Sequence, residues 1–199
     1  MSALNFRIVQ SRSETANETT TVEQKLRDQI AFQDQELSRL RQASLRDEVT
    51  GGANMRCLGM AFDWVEDNDP VSLLFIDIDG FHKVNEALGR DCGDAVLSAV
   101  HTAIERALRW DDVAAREGAD RFVALLPLAV EEDAHAVGER IRSIIEKMCF
   151  QSSQGRFRLT ARVGCASNAK GEDLNTMLER ANRACRTGRG LGGNIVFGG

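Results

Sequence analysis

The chain has 199 residues, a formal charge of −5, 43% hydrophobic and 28% charged residues. That length suits one ordinary domain plus an extension, and the apolar fraction supports a packed core, which excludes wholesale disorder. The longest apolar run, Val123–Val130, is about eight residues and contains Pro127, too short for a transmembrane helix of roughly 20. The opening Met1-Ser2-Ala3-Leu4-Asn5-Phe6-Arg7 has no basic-then-apolar signal pattern, so a cytoplasmic protein without a membrane partner is expected. The acidic balance argues against nucleic acid as a partner. Inside that balance, 21 Arg stand against 4 Lys. A GC-rich genome accounts for most of this excess, but Arg also recognises phosphates and carboxylates bidentately where Lys offers a point charge. Cys57, Cys92, Cys149, Cys165 and Cys185 form no C-x-x-C pair. They are expected to be reduced, mostly buried thiols, and no zinc spacing exists.

In chain order, residues 1–20 read as a flexible polar tail and residues 21–46 as an amphipathic stalk helix. Val22 to Arg46 holds no Gly or Pro, and Leu26, Ile30, Leu37 and Leu40 share one stripe, the pattern of a short dimerising coiled coil or of a helix packed on its own domain. Residues 47–199 form the domain. Asn54–Val65 reads as a helix, Val71–Ile76 as a buried strand ending at Asp77, Phe81–Leu88 as a short helix and Gly93–Arg109 as a longer one. Val113–Arg116 and Phe122–Leu126 are short strands joined through Gly118-Ala119-Asp120. Val130–Met148 is a helix, Phe157–Val163 an alternating strand, Glu172–Arg186 a helix and Asn194–Phe197 a last strand. From Val71 to Val163 the order is β-α-β-β-α-β, an α+β pattern with strand order 4-1-3-2 and helices on one face. The first and third strands are then antiparallel neighbours, which brings Asp77 beside Asp120.

Asp77-Ile78-Asp79 at the end of an apolar strand, with Asp120 arriving from the hairpin, offers hard oxygen ligands of the kind Mg²⁺ uses in phosphoryl transfer; strand-end acids also serve as solvated turn formers. Asn85 and Asp94 flank Gly89-Arg90-Asp91-Cys92-Gly93. An amide and a carboxylate can read a guanine edge, and each residue also suits a helix cap. Arg109-Trp110-Asp111-Asp112 closes the long helix; its R-x-x-D spacing suits a guanine nucleotide, or a dipole-favoured Arg followed by a loop Asp. His101 and His135 read as ordinary helix positions.

Together these segments resemble the GGDEF domain of diguanylate cyclases from Asp47 to Phe197. Asp47-Glu48-Val49-Thr50-Gly51-Gly52-Ala53-Asn54 is similar to D-x-L-T-G-L-x-N, Asp77 to Asn85 to D-I-D-x-F-K-x-[IV]-N, Gly89 to Asp94 to G-H-x-x-G-D, and Arg189–Val196 to the closing A-K-x-x-G-x-N-x-V. Gly118-Ala119-Asp120-Arg121-Phe122 stands at the signature position. The resemblance implies a palm-like nucleotidyl-cyclase fold preceded by a stalk, and a two-fold dimer that condenses two GTP into cyclic di-GMP. It implies Mg²⁺ at Asp77 and Asp120, guanine reading by Asn85 and Asp94, and phosphate contacts at His82 and Arg189. It also implies a product-inhibition site at Arg109 and Asp112, completed by Arg140.

Three residues depart from the family pattern. Ala119 replaces a hairpin Gly, where a Cβ is expected to clash with nucleotide or to demand a disfavoured φ. Arg121 replaces an acid and opposes a cation. His82, mostly neutral at pH 7, replaces Lys. The leading reading is therefore a catalytically inactive receptor for cyclic di-GMP that needs no cofactor, signals as a homodimer or through an unidentified protein partner, and carries a vestigial active site. The alternatives are an active cyclase with an atypical signature, a nucleotide-independent interaction module, and a domain that binds GTP silently, with Mg²⁺ accompanying the GTP. With roughly 150 residues in the domain and about 45 ahead of it, the signal is expected to enter through the domain's own ligand site or a partner.

Overall fold

The computed structural model describes residues 24–36, 44–66, 69–168, 172–190 and 192–198. The chain divides into two units, Met1–Ser44 and Leu45–Gly199. In the first, helix α1 covers 24–36, and Leu26, Ile30 and Phe32 are exposed on it. The tail and the stripe positions Leu37 and Leu40 lie outside the described residues.

The second unit runs β1 (Ala53–Asn54), α2 (Met55–Phe62), β2 (Val71–Ile78), α3 (Phe81–Leu88), α4 (Arg90–Ala107), β3 (Val113–Gly118), β4 (Arg121–Pro127), α5 (Glu131–Lys147), β5 (Phe150–Ser152), β6 (Gly155–Phe157), β7 (Ala161–Ser167), α6 (Leu174–Gly190) and β8 (Val196–Gly198). The main sheet has the order β1-β3-β4-β2-β7-β8. Its four central strands keep the expected 4-1-3-2 arrangement, with β2 antiparallel to both β4 and β7. β1 and β8 add parallel edges.

Helices on one face alone would leave half of β2 wet, and the structure corrects that expectation. Leu74, Ile76 and Ile78 of β2 pack in one core with α3, α4 and α5. Val71, Leu73 and Phe75 pack in a second core with Leu58 of α2 and with Met177, Ala181 and Cys185 of α6. A strand apolar at consecutive positions is buried on both faces, and each fully buried Leu or Ile contributes about 1.5–3 kcal/mol. On β7, Gly164 is required by this packing: a Cβ there would fall 2.0 Å from the Ala181 carbonyl oxygen of α6.

Other expectations also shift. The Phe157–Val163 strand is two elements: β6 ends at Phe157 and pairs with β5, while β7 begins at Ala161. The ring stacking of Phe150 on Phe157, with centroids 5.4 Å apart, holds this hairpin. Only Gly89, at φ +81°, separates α3 from α4, so Arg90 to Gly93 are helical, not a turn. Of the five cysteines, only Cys165 and Cys185 are buried, and Cys149 is exposed. Burial raises these two thiols, to about 12 and about 11 respectively.

Candidate functional site

Asp77, near the end of β2, lies in register with Arg121 of β4 on one side and Arg162 of β7 on the other. Paired positions on adjacent strands share a face, here the face of Leu73 and Phe75 under α6. The sheet therefore ends in a row of Arg121, Asp77 and Arg162. The Ile78 N–H donates to the Asp120 carbonyl at 3.1 Å, which brings the hairpin acid to the end of β2. Burial, and then the Asp77 charge, push the Asp120 carboxyl above its ordinary range. A cleft of about 680 Å³ opens here between Phe75, Asp77, Ala119, Asp120, Arg121 and the α6 residues Asn182 and Arg186.

Sequence reasoning missed Arg162. Its side chain is 9% exposed, and it bridges two acids, through Nη2 to Asp77 Oδ2 and through Nη1 to Asp79 Oδ1. The other Asp79 oxygen accepts from the Thr160 hydroxyl at 2.7 Å and from the Asn194 N–H at 3.0 Å. Both Asp79 oxygens are thus committed, and Asp77 gives one to the guanidinium. A divalent ion needs carboxylate lone pairs turned toward it; at the expected pair, Asp77 gives one oxygen to Arg162, and the charges of Arg121 and Arg162 act on Asp120, so these residues fit Mg²⁺ poorly. The available signal was an Arg inside the alternating β7 pattern, on a strand neighbouring β2.

At the hairpin, the Arg121 Nε–H pairs with Glu117 at 2.7 Å. Ala119 is exposed and is not among the described non-glycine residues with positive φ, which are Leu128 and Asn194. The backbone half of the expected Ala119 penalty is therefore corrected, since the turn accepts a Cβ without a left-handed conformation. A bulge between Arg116 and Gly118 shapes the hairpin, and the Arg116 guanidinium braces it by donating to the Ala119 carbonyl at 2.9 Å and to Asp47 at 3.1 Å.

The α3–α4 break sets Asn85 against Gly93, the residue before Asp94. Asn85 faces Gly93 so closely that a Cβ there would fall 1.9 Å from the Asn85 Oδ1. Asp94 follows, exposed at the surface, and His82 is exposed in the first turn of α3. The Arg189 side chain lies outside the described residues. A second cleft, of about 550 Å³, lies between α3 and the β5–β6 hairpin, bordered by Asp79, Lys83, Arg156 and Arg158.

At the other end of β3, the Arg109 N–H donates to Asp112 Oδ2 at 2.8 Å and closes the turn after α4. The Arg140 Nε–H of α5 donates to the Ala107 carbonyl at 2.8 Å, at the C-terminus of α4. Burial raises the Asp112 carboxyl, against the Arg109 N–H and the charges of Arg109 and Arg140. Arg109, Asp112 and Arg140 thus come together. Arg109 and Arg140 are exposed, a cleft of about 220 Å³ adjoins Arg109 and Asp112, and Trp110 beside them is 96% exposed.

Residues 44–194 match the family model described as diguanylate cyclase, GGDEF domain, and the chain belongs to the GGDEF family. It is 31% identical over 163 residues to the response regulator PleD of Caulobacter vibrioides; the match covers 78% of this chain and 36% of that protein. The chain therefore spans about a third of that curated relative's length. The structure resembles the coiled coil and GGDEF domain of DgcB from Caulobacter crescentus in complex with c-di-GMP, with a TM-score of 0.79, 25% identity, and coverage of 89% of this chain and 99% of that one. It also resembles the diguanylate cyclase SiaD of Pseudomonas aeruginosa in complex with its activator SiaC, with a TM-score of 0.75, 27% identity, and coverage of 98% and 77%. Among the described residues, no helix is long and apolar enough to cross a membrane.

Proposed function

We propose that this protein is a catalytically inactive GGDEF receptor for cyclic di-GMP, acting in the cytoplasm as a homodimer or through a protein partner. The observation that carries the reading is a contrast. Arg109 and Asp112 line an open cleft, with the charge of Arg140 acting on Asp112, while Asp77 and Asp79 are paired to Arg162. A cyclic dinucleotide presents phosphates and guanine acceptor edges to a guanidinium, and guanine N–H donors to a carboxylate. Arg109 and Arg140 supply the first kind of contact and Asp112 the second. The turn holds Asp112 through the Arg109 backbone, which leaves the Arg109 side chain to the ligand. This chemistry needs no cofactor. DgcB, solved with c-di-GMP, is similar over most of this chain and supports the ligand class.

Calorimetry with cyclic di-GMP tests the proposal. Binding is expected at micromolar ligand, and Arg109→Ala with Asp112→Ala is expected to remove it. No binding, or unchanged binding in the double variant, overturns the reading. The exposed Trp110 gives a second readout, because a base bound beside it would quench its fluorescence.

A second reading, an active cyclase, is favoured by Asn85 lying against Gly93, one residue before Asp94. Incubation with GTP and Mg²⁺ followed by chromatography decides it: cyclic di-GMP as product establishes the cyclase, and its absence at every protein concentration rejects it. GTP binding without turnover would mark Asn85 and Asp94 as a silent nucleotide site. If neither nucleotide shifts the melting temperature, the domain acts as a partner-binding module, a role supported by the resemblance to SiaD solved with its activator.

A further inference from the structure

We infer that Arg162 is a resident cation: its guanidinium joins Asp77 to Asp79, takes from Asp77 an oxygen that a divalent ion at Asp77 and Asp120 would need, and so makes this end of the sheet metal-independent. The inference concerns the acidic end of the sheet and stands apart from ligand binding at Arg109.

Four observations converge on it. Arg162 is 7% exposed, yet its two terminal nitrogens go to two different carboxylates. The sheet register itself places it there, because Arg162 and Asp77 are directly paired across β7 and β2. Both Asp79 oxygens are engaged, with Arg162 on one and Thr160 and Asn194 on the other. The Arg162 Nε–H is buried with no hydrogen-bond partner among the described residues.

The ion pairs to Asp77 and Asp79 hold the side chain in place against the cost of that unpaired donor. A buried guanidinium with one unsatisfied donor is costly in an apolar setting. It stays because the guanidinium offsets the negative charge of Asp77 and Asp79, both only partly exposed. Such a cluster is neutralised by protonation of an acid, by a bound divalent ion or by a covalently attached cation; with Arg162 on both acids, the third is the one this chain supplies. The covalent cation is present at every metal concentration and costs no binding entropy. It supplies one positive charge where a divalent ion supplies two, and it offers no open coordination position for a ligand oxygen.

Three consequences distinguish this arrangement from an ordinary acidic metal site. The chain takes up no divalent ion at Asp77, Asp79 or Asp120. Its stability is the same with and without Mg²⁺. Removal of the guanidinium turns the cluster into a cation site, because two acids are then left without their neutralising partner.

Mn²⁺ serves as the probe, read by the loss of the free-ion EPR signal and by thermal unfolding. With the unmodified full chain, no saturable Mn²⁺ binding is expected up to about 1 mM, the weak end of the range for carboxylate cation sites. Its melting temperature should be equal in EDTA and in excess Mg²⁺ or Mn²⁺. Arg162→Ser should melt lower than the parent in EDTA, and Mn²⁺ should restore it by several degrees while one ion binds per chain. Adding Asp77→Asn to Arg162→Ser should abolish both the binding and the rescue. Stoichiometric submillimolar Mn²⁺ binding by the unmodified chain that is lost in Asp77→Asn overturns the inference. So does an Arg162→Ser protein that folds but gains no metal rescue. If Arg162→Ser does not fold in EDTA, refolding it in Mn²⁺ gives the same decision: recovery supports the resident cation, and failure to recover overturns it. Cyclic di-GMP titration of the same samples separates this outcome from the receptor reading, since loss of one leaves the other standing.

Discussion

The two ends of β3 carry the same kinds of residue and treat them in opposite ways. Asp112 and Arg109 precede its first residue, and Asp120 follows its last, about 20 Å away along six residues. At the Asp120 end, Arg162 is buried and spends its donors on Asp77 and Asp79. At the Asp112 end, the carboxylate is held by a backbone N–H, and Arg109 remains at the surface. A buried guanidinium shared between acids is part of the fold; an exposed one beside an open cleft is available to a ligand. The difference lies in solvation, which no count of Arg and Asp reports.

The comparison breaks most visibly at Arg162. Arg162→Ser should cost about 3 kcal/mol in metal-free denaturant unfolding, the lower end for breaking a buried pair, because it takes the guanidinium from two partly exposed carboxylates. The matching change at the other end, Arg109→Ala, should leave unfolding within about 0.5 kcal/mol. It should weaken cyclic di-GMP by about 1.5–3 kcal/mol, the value of a charge-assisted hydrogen bond, as read by calorimetry. If Arg109→Ala destabilises the fold as strongly as Arg162→Ser, the contrast between the two ends is wrong.

Asp47 sharpens the picture through pH. Burial pushes its carboxyl up, but the Thr50 N–H and hydroxyl and the Arg116 guanidinium outweigh this and hold it below 3.8. Its stabilisation is therefore full at neutral pH and is lost as the pH falls below 3.8 through the lower native value. Asp47→Asn should cost about 1–3 kcal/mol at pH 7. The gap from the parent should close as unfolding is measured toward pH 3. Because Arg116 also holds the Ala119 carbonyl, the variant should speed amide exchange in the hairpin while sparing the turn at Arg109.

The smallest effect is expected at Asp120. Its carboxyl is raised by burial and by Asp77, so its contribution is favourable below 3.8 and is lost as the pH rises through the native value. At pH 7 the charged group opposes folding. Asp120→Asn should raise the melting temperature by roughly 1–2 °C at pH 7 and leave it unchanged near pH 3. A lower melting temperature at pH 7 would mean that Arg162 stabilises Asp120 as well as Asp77 and Asp79.

Much of the central fold was legible because periodicity and order carry it. Apolar runs and alternation located β2, β4 and the long helices, and the β-α-β-β-α-β order placed Asp77 beside Asp120. The second helical face was legible in principle, since Val71–Ile76 is apolar without alternation and needs cover on both sides. The β5–β6 hairpin was missed because three-residue strands are too short for periodicity to register. Its signals, a Ser-Ser-Gln-Gly turn between Phe150 and Phe157, are local and weak. Arg162 was hidden for another reason. In a chain with 21 Arg, one more inside an alternating strand looks like composition.

The sequence by itself determined the family, the order of the elements and which acids the topology would bring to one sheet edge, because hydrophobic pattern and motif spacing are one-dimensional properties. Only the tertiary structure decided that Arg162 stands in register with Asp77 and reaches Asp79, while Arg109 stays in water. Strand pairing across 85 residues and burial under α6 set the partners and the exposure of those groups. Neither can be read from the order of letters, because each depends on what the rest of the chain excludes from solvent.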